Sequence, residues 1–199
     1  KLGVPYFLEG SYDYGRLHKI TSGWRGEIPF YSVMHGGGIH LIDLFLWLTE
    51  QKVLSVNALG TKIATKDTSF KYSDCISSLM QFENGSIAQL TSNYSAVIPH
   101  GHKLSIYGDK GTFHHGPIGC AYFTSREPNY PVEKVDDPYP GSSKGDMIDQ
   151  FVNHVLDDKK LPNVTSQEVL NAMAVSLAIE KSHQDQSTEM VKYIKLNGE

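Results

Sequence analysis

The chain has 199 residues, 40% hydrophobic and 20% charged, with a formal net charge of −4 at pH 7. This is the balance of an ordinary globular protein. It offers no global field for nucleic acid or an anionic membrane surface, and no apolar run approaches the roughly 18 residues of a membrane-spanning helix.

The two cysteines, Cys75 and Cys120, form no CxxC pair. No structural disulfide is expected, a reducing cytoplasmic compartment fits, and Cys75 reads as a small core residue. Lys1-Leu2-Gly3-Val4-Pro5-Tyr6 has no basic region leading to a small-residue cleavage site, so no signal peptide is expected. It reads as a turn into a strand, as though the chain began inside a longer protein.

The first strand is expected over Val4–Tyr12. Residues 12–33 show little periodicity but carry Tyr12, Tyr14, Arg16, His18, Lys19, Trp24, Arg25 and Tyr31. A loop rich in aromatic and basic side chains suits the wall of a pocket; the alternative is a surface connection whose aromatics plug the edge of the core. Next comes His35-Gly36-Gly37-Gly38-Ile39-His40-Leu41-Ile42-Asp43-Leu44-Phe45-Leu46-Trp47-Leu48. Its apolar residues predict a helix from Gly38 to Glu50, buried nearly all round. His40 and Asp43, three apart, share one face.

A β region follows. Val53–Ala64 reads as one long strand. Asp74–Phe82 alternates, with Ile76, Ser78, Met80 and Phe82 on one face and Cys75, Ser77, Leu79 and Gln81 on the other. Asn84-Gly85 signals a hairpin, and Ser86–Val97 is its second arm. Lys103–Gly108, Thr112–His115 and Cys120–Thr124 continue the strands. Consecutive strands on short turns predict a largely antiparallel sheet, one face apolar under helices and the other mixed. Residues 125–145, with Pro128, Pro131, Pro138, Pro140 and Gly141, read as a loop. Asp146–Leu156 is a helix with Met147, Ile148, Phe151, Val152 and Val155 on one stripe. Pro162 breaks the chain. Thr165 or Ser166 then caps a last helix from Gln167 to about His183, its core stripe including Val169, Leu170, Met173, Leu177, Ala178 and Ile179. Glu189–Leu196 closes as a strand.

The candidate chemistry centres on His40 and Asp43. Histidine exchanges protons near neutral pH, and an aspartate one turn on can orient it. The glycine run lacks the remaining spacing of a dinucleotide fingerprint, since Leu41 stands where a further glycine is required. It more simply lets the helix start approach another backbone or a ligand. His35, His40 and Asp43 have the ligand types for a divalent metal but not a strong ligand spacing, so no metal is assigned. His100, His102, His114 and His115 fall at strand ends and turns and read as exposed. No GxSxG elbow is present.

Gly36-Gly37-Gly38-Ile39-His40-Leu41-Ile42-Asp43-Leu44-Phe45-Leu46-Trp47-Leu48 resembles the helix motif of the Gfo/Idh/MocA oxidoreductases, in their C-terminal substrate domain. Gly23-Trp24-Arg25, the Gly108-Asp109-Lys110-Gly111-Thr112 turn, the element order, and the closing helices with Asp146, Phe151, Glu180 and Ser182 agree with it. The resemblance covers essentially the whole chain. It implies an α+β fold, a large mostly antiparallel open sheet with helices packed on one face. Residues 1–199 would then be a single substrate-binding and oligomerisation domain, without the Rossmann domain that binds NAD or NADP and supplies a catalytic lysine. Cofactor-binding residues are therefore not assigned.

The reaction implied is hydride transfer between a sugar, cyclitol or related polyol and nicotinamide, with this chain alone inactive. His40 matches the family's proton-relaying histidine and Asp43 the acidic residue after it. Many members place an aspartate four residues before the histidine; Gly36 stands there, with His35 beside it as candidate substitute. His35, Arg16, Lys19, Trp24, Arg25 and Tyr94 are candidate substrate contacts. A homo-oligomer, dimer or tetramer, is expected through the open sheet face. The alternatives are a non-catalytic dimerising scaffold, or a metal-dependent hydrolase or lyase using His35, His40 and Asp43.

Overall fold

The computed structural model describes residues 1–117, 119–136, 145–157 and 164–196. The strands are β1 (Pro5–Asp13), β2 (Val53–Thr61), β3 (Cys75–Phe82), β4 (Ile87–Asn93), β5 (Gly101–Gly108), β6 (Thr112–Gly116), β7 (Gly119–Phe123), β8 (Glu133–Val135) and β9 (Glu189–Met190). They form one nine-stranded sheet in the order β8-β7-β6-β5-β1-β4-β3-β2-β9. Two meanders, β2-β3-β4 and β5-β6-β7-β8, flank β1. All pairings are antiparallel except that of β1 with β4.

The helices are α1 (His18–Thr21), α2 (Trp24–Glu27), α3 (Ile39–Thr49), α4 (Asp146–Leu156) and α5 (Ser166–Asp185). α3 lies over β1, and α5 lies over β2 and against α3. The alternation of the strands supplies the buried floor: Leu8 and Tyr12 from β1, Ala88 and Leu90 from β4, Ile76, Met80 and Phe82 from β3, Val56 and Ala58 from β2. Gly10 marks where α3 crosses. A Cβ there would come within 2.8 Å of the Phe45 ring and 3.1 Å of Leu41, so only glycine admits the helix at this distance.

Several expectations are corrected. α3 is not buried all round: Leu41, Ile42 and Phe45 face the sheet, while Trp47 is 71% exposed and His40 and Asp43 are exposed. The loop at 12–33 contains the short helices α1 and α2. The core stripe of α5 is Ala172, Val175, Ser176, Ala178, Ile179 and Ser182. Val169, Met173 and Leu177 face outward, because small residues let the helix settle closer to β2 than larger ones would. Cys75 is half-buried on the face away from the helices, and both cysteines are free. The strand expected over Val53–Ala64 ends at Thr61, and that expected over Glu189–Leu196 is a strand only over Glu189–Met190. Beyond it Tyr193 hydroxyl bonds the Val53 backbone at 2.9 and 3.0 Å. Pro138, Pro140, Gly141 and the break at Pro162 lie outside the described residues.

α5 begins in a full capping box. Thr165 Oγ1 accepts from the Glu168 N–H at 3.2 Å, and Glu168 Oε2 accepts from the Thr165 N–H at 2.7 Å. Thr165→Ala is expected to cost about 1 kcal/mol of unfolding free energy, read from urea titration. An unchanged midpoint would show that the cap is replaceable by water.

Candidate functional site

The residues before α3 form a π-helical turn, Met34–Gly38. None of its three glycines has positive φ; what they provide is room. A Cβ on Gly37 would sit 2.5 Å from the Tyr12 ring, one on Gly36 2.2 Å from the Tyr31 hydroxyl, and one on Gly38 2.2 Å from Met34 Sδ. Ser92 Oγ donates to Val33 O at 2.8 Å and ties the turn to β4. The glycines thus bring the start of α3 against a cluster of tyrosines.

Tyr12 is at the centre. Its ring centroid lies 5.8 Å from His40, 5.9 Å from Tyr14, 6.0 Å from Tyr94, 5.2 Å from His100 and 4.9 Å from His102. Tyr14 and Tyr94 approach to 4.5 Å, and the Tyr31 hydroxyl donates to that of Tyr94 at 3.1 Å. Burial, then the neighbouring phenols, push the Tyr12 and Tyr94 hydroxyls up in pKa. They are therefore neutral hydrogen-bonding groups and not bases at neutral pH.

Burial first, then the facing His100, His40 and His115, hold His102 below the ordinary histidine range, with Asp13 opposing. Asp13 Oδ2 already pairs with Lys103 Nζ at 2.9 Å. Arg16 stacks on Tyr14 at 5.4 Å and Arg25 on Trp24 at 4.6 Å, and both act electrostatically on Tyr12.

The structure therefore brings together His40, Tyr94 and Arg16 of the expected residues, while Arg25, stacked on Trp24, acts on Tyr12 through its charge. It does not bring in His35, whose Nδ1 lies 2.6 Å from Ser176 Oγ on α5. Burial lowers the His35 pKa, with Glu180 opposing. Glu180 in turn accepts from Ser32 Oγ at 2.6 Å. Lys19 is exposed on α1. Asp43 lines a groove of about 550 Å3 between α3 and α5 with Trp47, Lys52, Glu168 and Asn171. Burial and then Glu168 raise its pKa, and the nearby His40 opposes.

Sequence reasoning placed Tyr12 and Tyr14 in a pocket-lining loop without assigning them to the site, and it missed His100 and His102. His102, His114 and His115 are not exposed turn residues. They stand half-buried within β5 and β6, His102 opposite Tyr12 in register and on the same face as Leu104 and Ile106. Strand alternation from Leu104 and Ile106 was the available signal. Among the described residues no group of three or more His, Cys, Asp or Glu side chains converges as a metal site.

His102 and His35 make stability pH-dependent. Both are held below 6.5 when folded, so the unfolded chain binds more protons in that window. Their stability is present above pH 6.5 and is lost as pH falls from there through the folded values. Asp43, raised when folded, acts with the opposite sign at more acidic pH. Melting temperature is expected to drop on going from about pH 7.5 to about pH 5.5, and less in His102→Asn. Equal drops in the two proteins would remove His102 from this account.

The family model described as the GFO/IDH/MocA C-terminal domain matches residues 1–114. No curated protein matches the sequence. Among solved structures, myo-inositol 2-dehydrogenase from Lactobacillus plantarum superposes with a TM-score of 0.77 at 19% identity, over 96% of this chain and 58% of that one. A levoglucosan dehydrogenase in complex with NADH and levoglucosan gives 0.75 at 18%, over 97% and 60%. UDP-N-acetylglucosamine 3-dehydrogenase from Acidithiobacillus ferrooxidans gives 0.71 at 18%, over 92% and 55%. At such identities the likeness establishes the fold. The chain spans somewhat more than half the length of these structures.

Proposed function

The chain belongs to the GFO/IDH/MocA C-terminal domain family, and from that premise we propose that it is the substrate-binding and oligomerisation domain of an NAD(P)-dependent dehydrogenase of a sugar, cyclitol or related polyol. The observation that carries this is His40, exposed at the start of α3 and 5.8 Å from the Tyr12 ring.

A sugar ring presents apolar C–H faces and hydroxyl edges. Half-buried Tyr14 offers a flat face to the former, with the buried rings of Tyr12 and Tyr94 packed behind it, and Arg16 beside it offers N–H donors to the latter. Oxidation of a secondary alcohol needs a group to take the hydroxyl proton as hydride leaves. Imidazole is the side chain suited to this near neutral pH, and His40 is the accessible imidazole beside the tyrosine wall.

The residues here do not fit the nicotinamide cofactor itself. The glycine turn is helical and packed with tyrosine rings, so it presents no cradle for a pyrophosphate. Cofactor binding would fall to a part of the protein outside this chain. The metal-hydrolase alternative is not favoured, because His35 is turned to Ser176 and no set of donors converges among the described residues.

The test is the protein expressed from its complete gene, incubated with NAD+ or NADP+ and a panel of inositols, aldoses, anhydrosugars, uronates and sugar phosphates. Reduced nicotinamide from at least one, coupled to loss of that polyol, is expected. Its absence across the panel, with cofactor bound, would favour the non-catalytic scaffold.

Oligomerisation is proposed through the sheet face opposite the helices. There Leu59, Leu79 and Ile87 are 67%, 51% and 40% exposed, beside the stacked Phe7 and Tyr107 rings. Such a face suits a two-fold contact with a second copy. Leu79→Lys is expected to shift the protein to monomer in light scattering at micromolar concentration. An unchanged mass would place the contact elsewhere.

A further inference from the structure

The tyrosine cluster is ringed by cationic and titratable nitrogen groups. Arg16 and Arg25 make no ion pair with a carboxylate among the described residues. They stack on Tyr14 and Trp24 instead, so their N–H edges stay available. Glu27 stands two positions after Arg25 on α2, a spacing that turns the two side chains apart. Across Tyr12 stand His100 and His102, with ring centroids 5.6 Å apart, and Tyr14 reaches His100 at 5.2 Å. Both histidines, with His115, line a cavity of about 330 Å3 next to the cluster.

The acids that face these groups are few. Asp13 acts on His102 but is paired with Lys103, and Asp43 acts on His40 from the α3–α5 groove. Protonating His102 is opposed by burial and by His100, His40 and His115. An anion placed between the arginines and the histidines would relieve that opposition. A neutral polyol would not, and would leave the two guanidinium groups without an anionic partner.

We propose that the substrate of this site carries an anionic group, carboxylate or phosphate, held between Arg16 and Arg25 on one side and His100 and His102 on the other, with its reacting hydroxyl toward His40. This rests on the reading of the cluster as the substrate site of an oxidoreductase. Arginine's planar fork matches both oxyanions in two-point contact. Glucuronate and glucose differ at one end only, so the pair isolates the group concerned.

The experiment measures binding by calorimetry to the protein from its complete gene, without turnover, using glucuronate, inorganic phosphate, glucose and scyllo-inositol. Glucuronate or phosphate is expected to bind, and at least about tenfold more weakly to the Arg16→Met, Arg25→Met double variant, the loss of a charge-assisted hydrogen bond. The double Arg→Lys variant, which keeps the charges, is expected between the two and separates charge from fold damage. Glucuronate keeps its charge between about pH 6 and pH 8, so its binding is expected to tighten toward pH 6 with proton uptake by His102.

Phosphate bound without glucuronate, or the reverse, names the anion and supports the proposal. If neither anion binds, or the double variant binds them as the wild type does, the proposal is overturned. Oxidation of neutral polyols alongside that result would leave the oxidoreductase reading standing.

Discussion

His40→Ala, made in the protein expressed from its complete gene, is expected to lower kcat for polyol oxidation by about 10²- to 10⁴-fold, the usual contribution of a positioned general base. KM is expected to change little, because the ring faces, hydroxyls and cations around the substrate remain. The side chain is exposed, so the melting temperature is expected to stay near that of the wild type. His35→Ala is the informative contrast. His35 is hydrogen-bonded to Ser176 at 2.6 Å and sits between the turn and α5. Its loss should lower stability and leave the pH profile of kcat in place. The reverse pattern, with kcat collapsing in His35→Ala and surviving in His40→Ala, would move the proton relay from one histidine to the other. Stopped-flow single-turnover measurements on both variants separate the chemical step from product release.

The second large effect is expected from one methyl group. A Cβ on Gly37 would lie 2.5 and 2.6 Å from two carbons of the Tyr12 ring and 2.9 Å from Tyr94. Tyr12 and Tyr94 are 6% and 2% exposed, so neither ring has open space to enter. Gly37→Ala is therefore expected to cost about 1–3 kcal/mol, as overpacking in a tight core does, and to displace Tyr12 from His40 and His102. The control is Gly116→Ala, where a Cβ meets nothing within 4 Å. Urea midpoints that fall together in the two variants would mean that the glycine turn is tolerant. A fall in Gly37→Ala alone, with weaker polyol binding, would tie the turn to the site.

Much of the architecture was legible in the residues. Alternation in β3 separated Ile76, Ser78, Met80 and Phe82 from Cys75, Ser77, Leu79 and Gln81, and the structure buries the first set. Asn84-Gly85 marked the β3–β4 hairpin, and Gly85 takes φ +85° there. Thr165 or Ser166 marked the start of α5, and Thr165 is the cap. These are local signals, in which backbone preference and side-chain period act within a few residues.

What the residues could not specify was which surfaces meet. β1 lies between β4 and β5, parallel to the first, although neither is its neighbour in sequence. That choice depends on how two meanders and a helix close around one core, and no local period encodes it. The same pairing sets Tyr12 opposite His102 and so joins the loop after β1 to histidines about ninety positions away. It also decides that His35 and His40, five residues apart, face different partners. One is held by Ser176 of α5 and the other stands beside Tyr12. The sequence by itself determined the fold class and the family, and it singled out His40 as a candidate. Tertiary structure alone assembled the tyrosine–histidine cluster, because long-range strand pairing and close packing, not propensity, choose what each side chain touches.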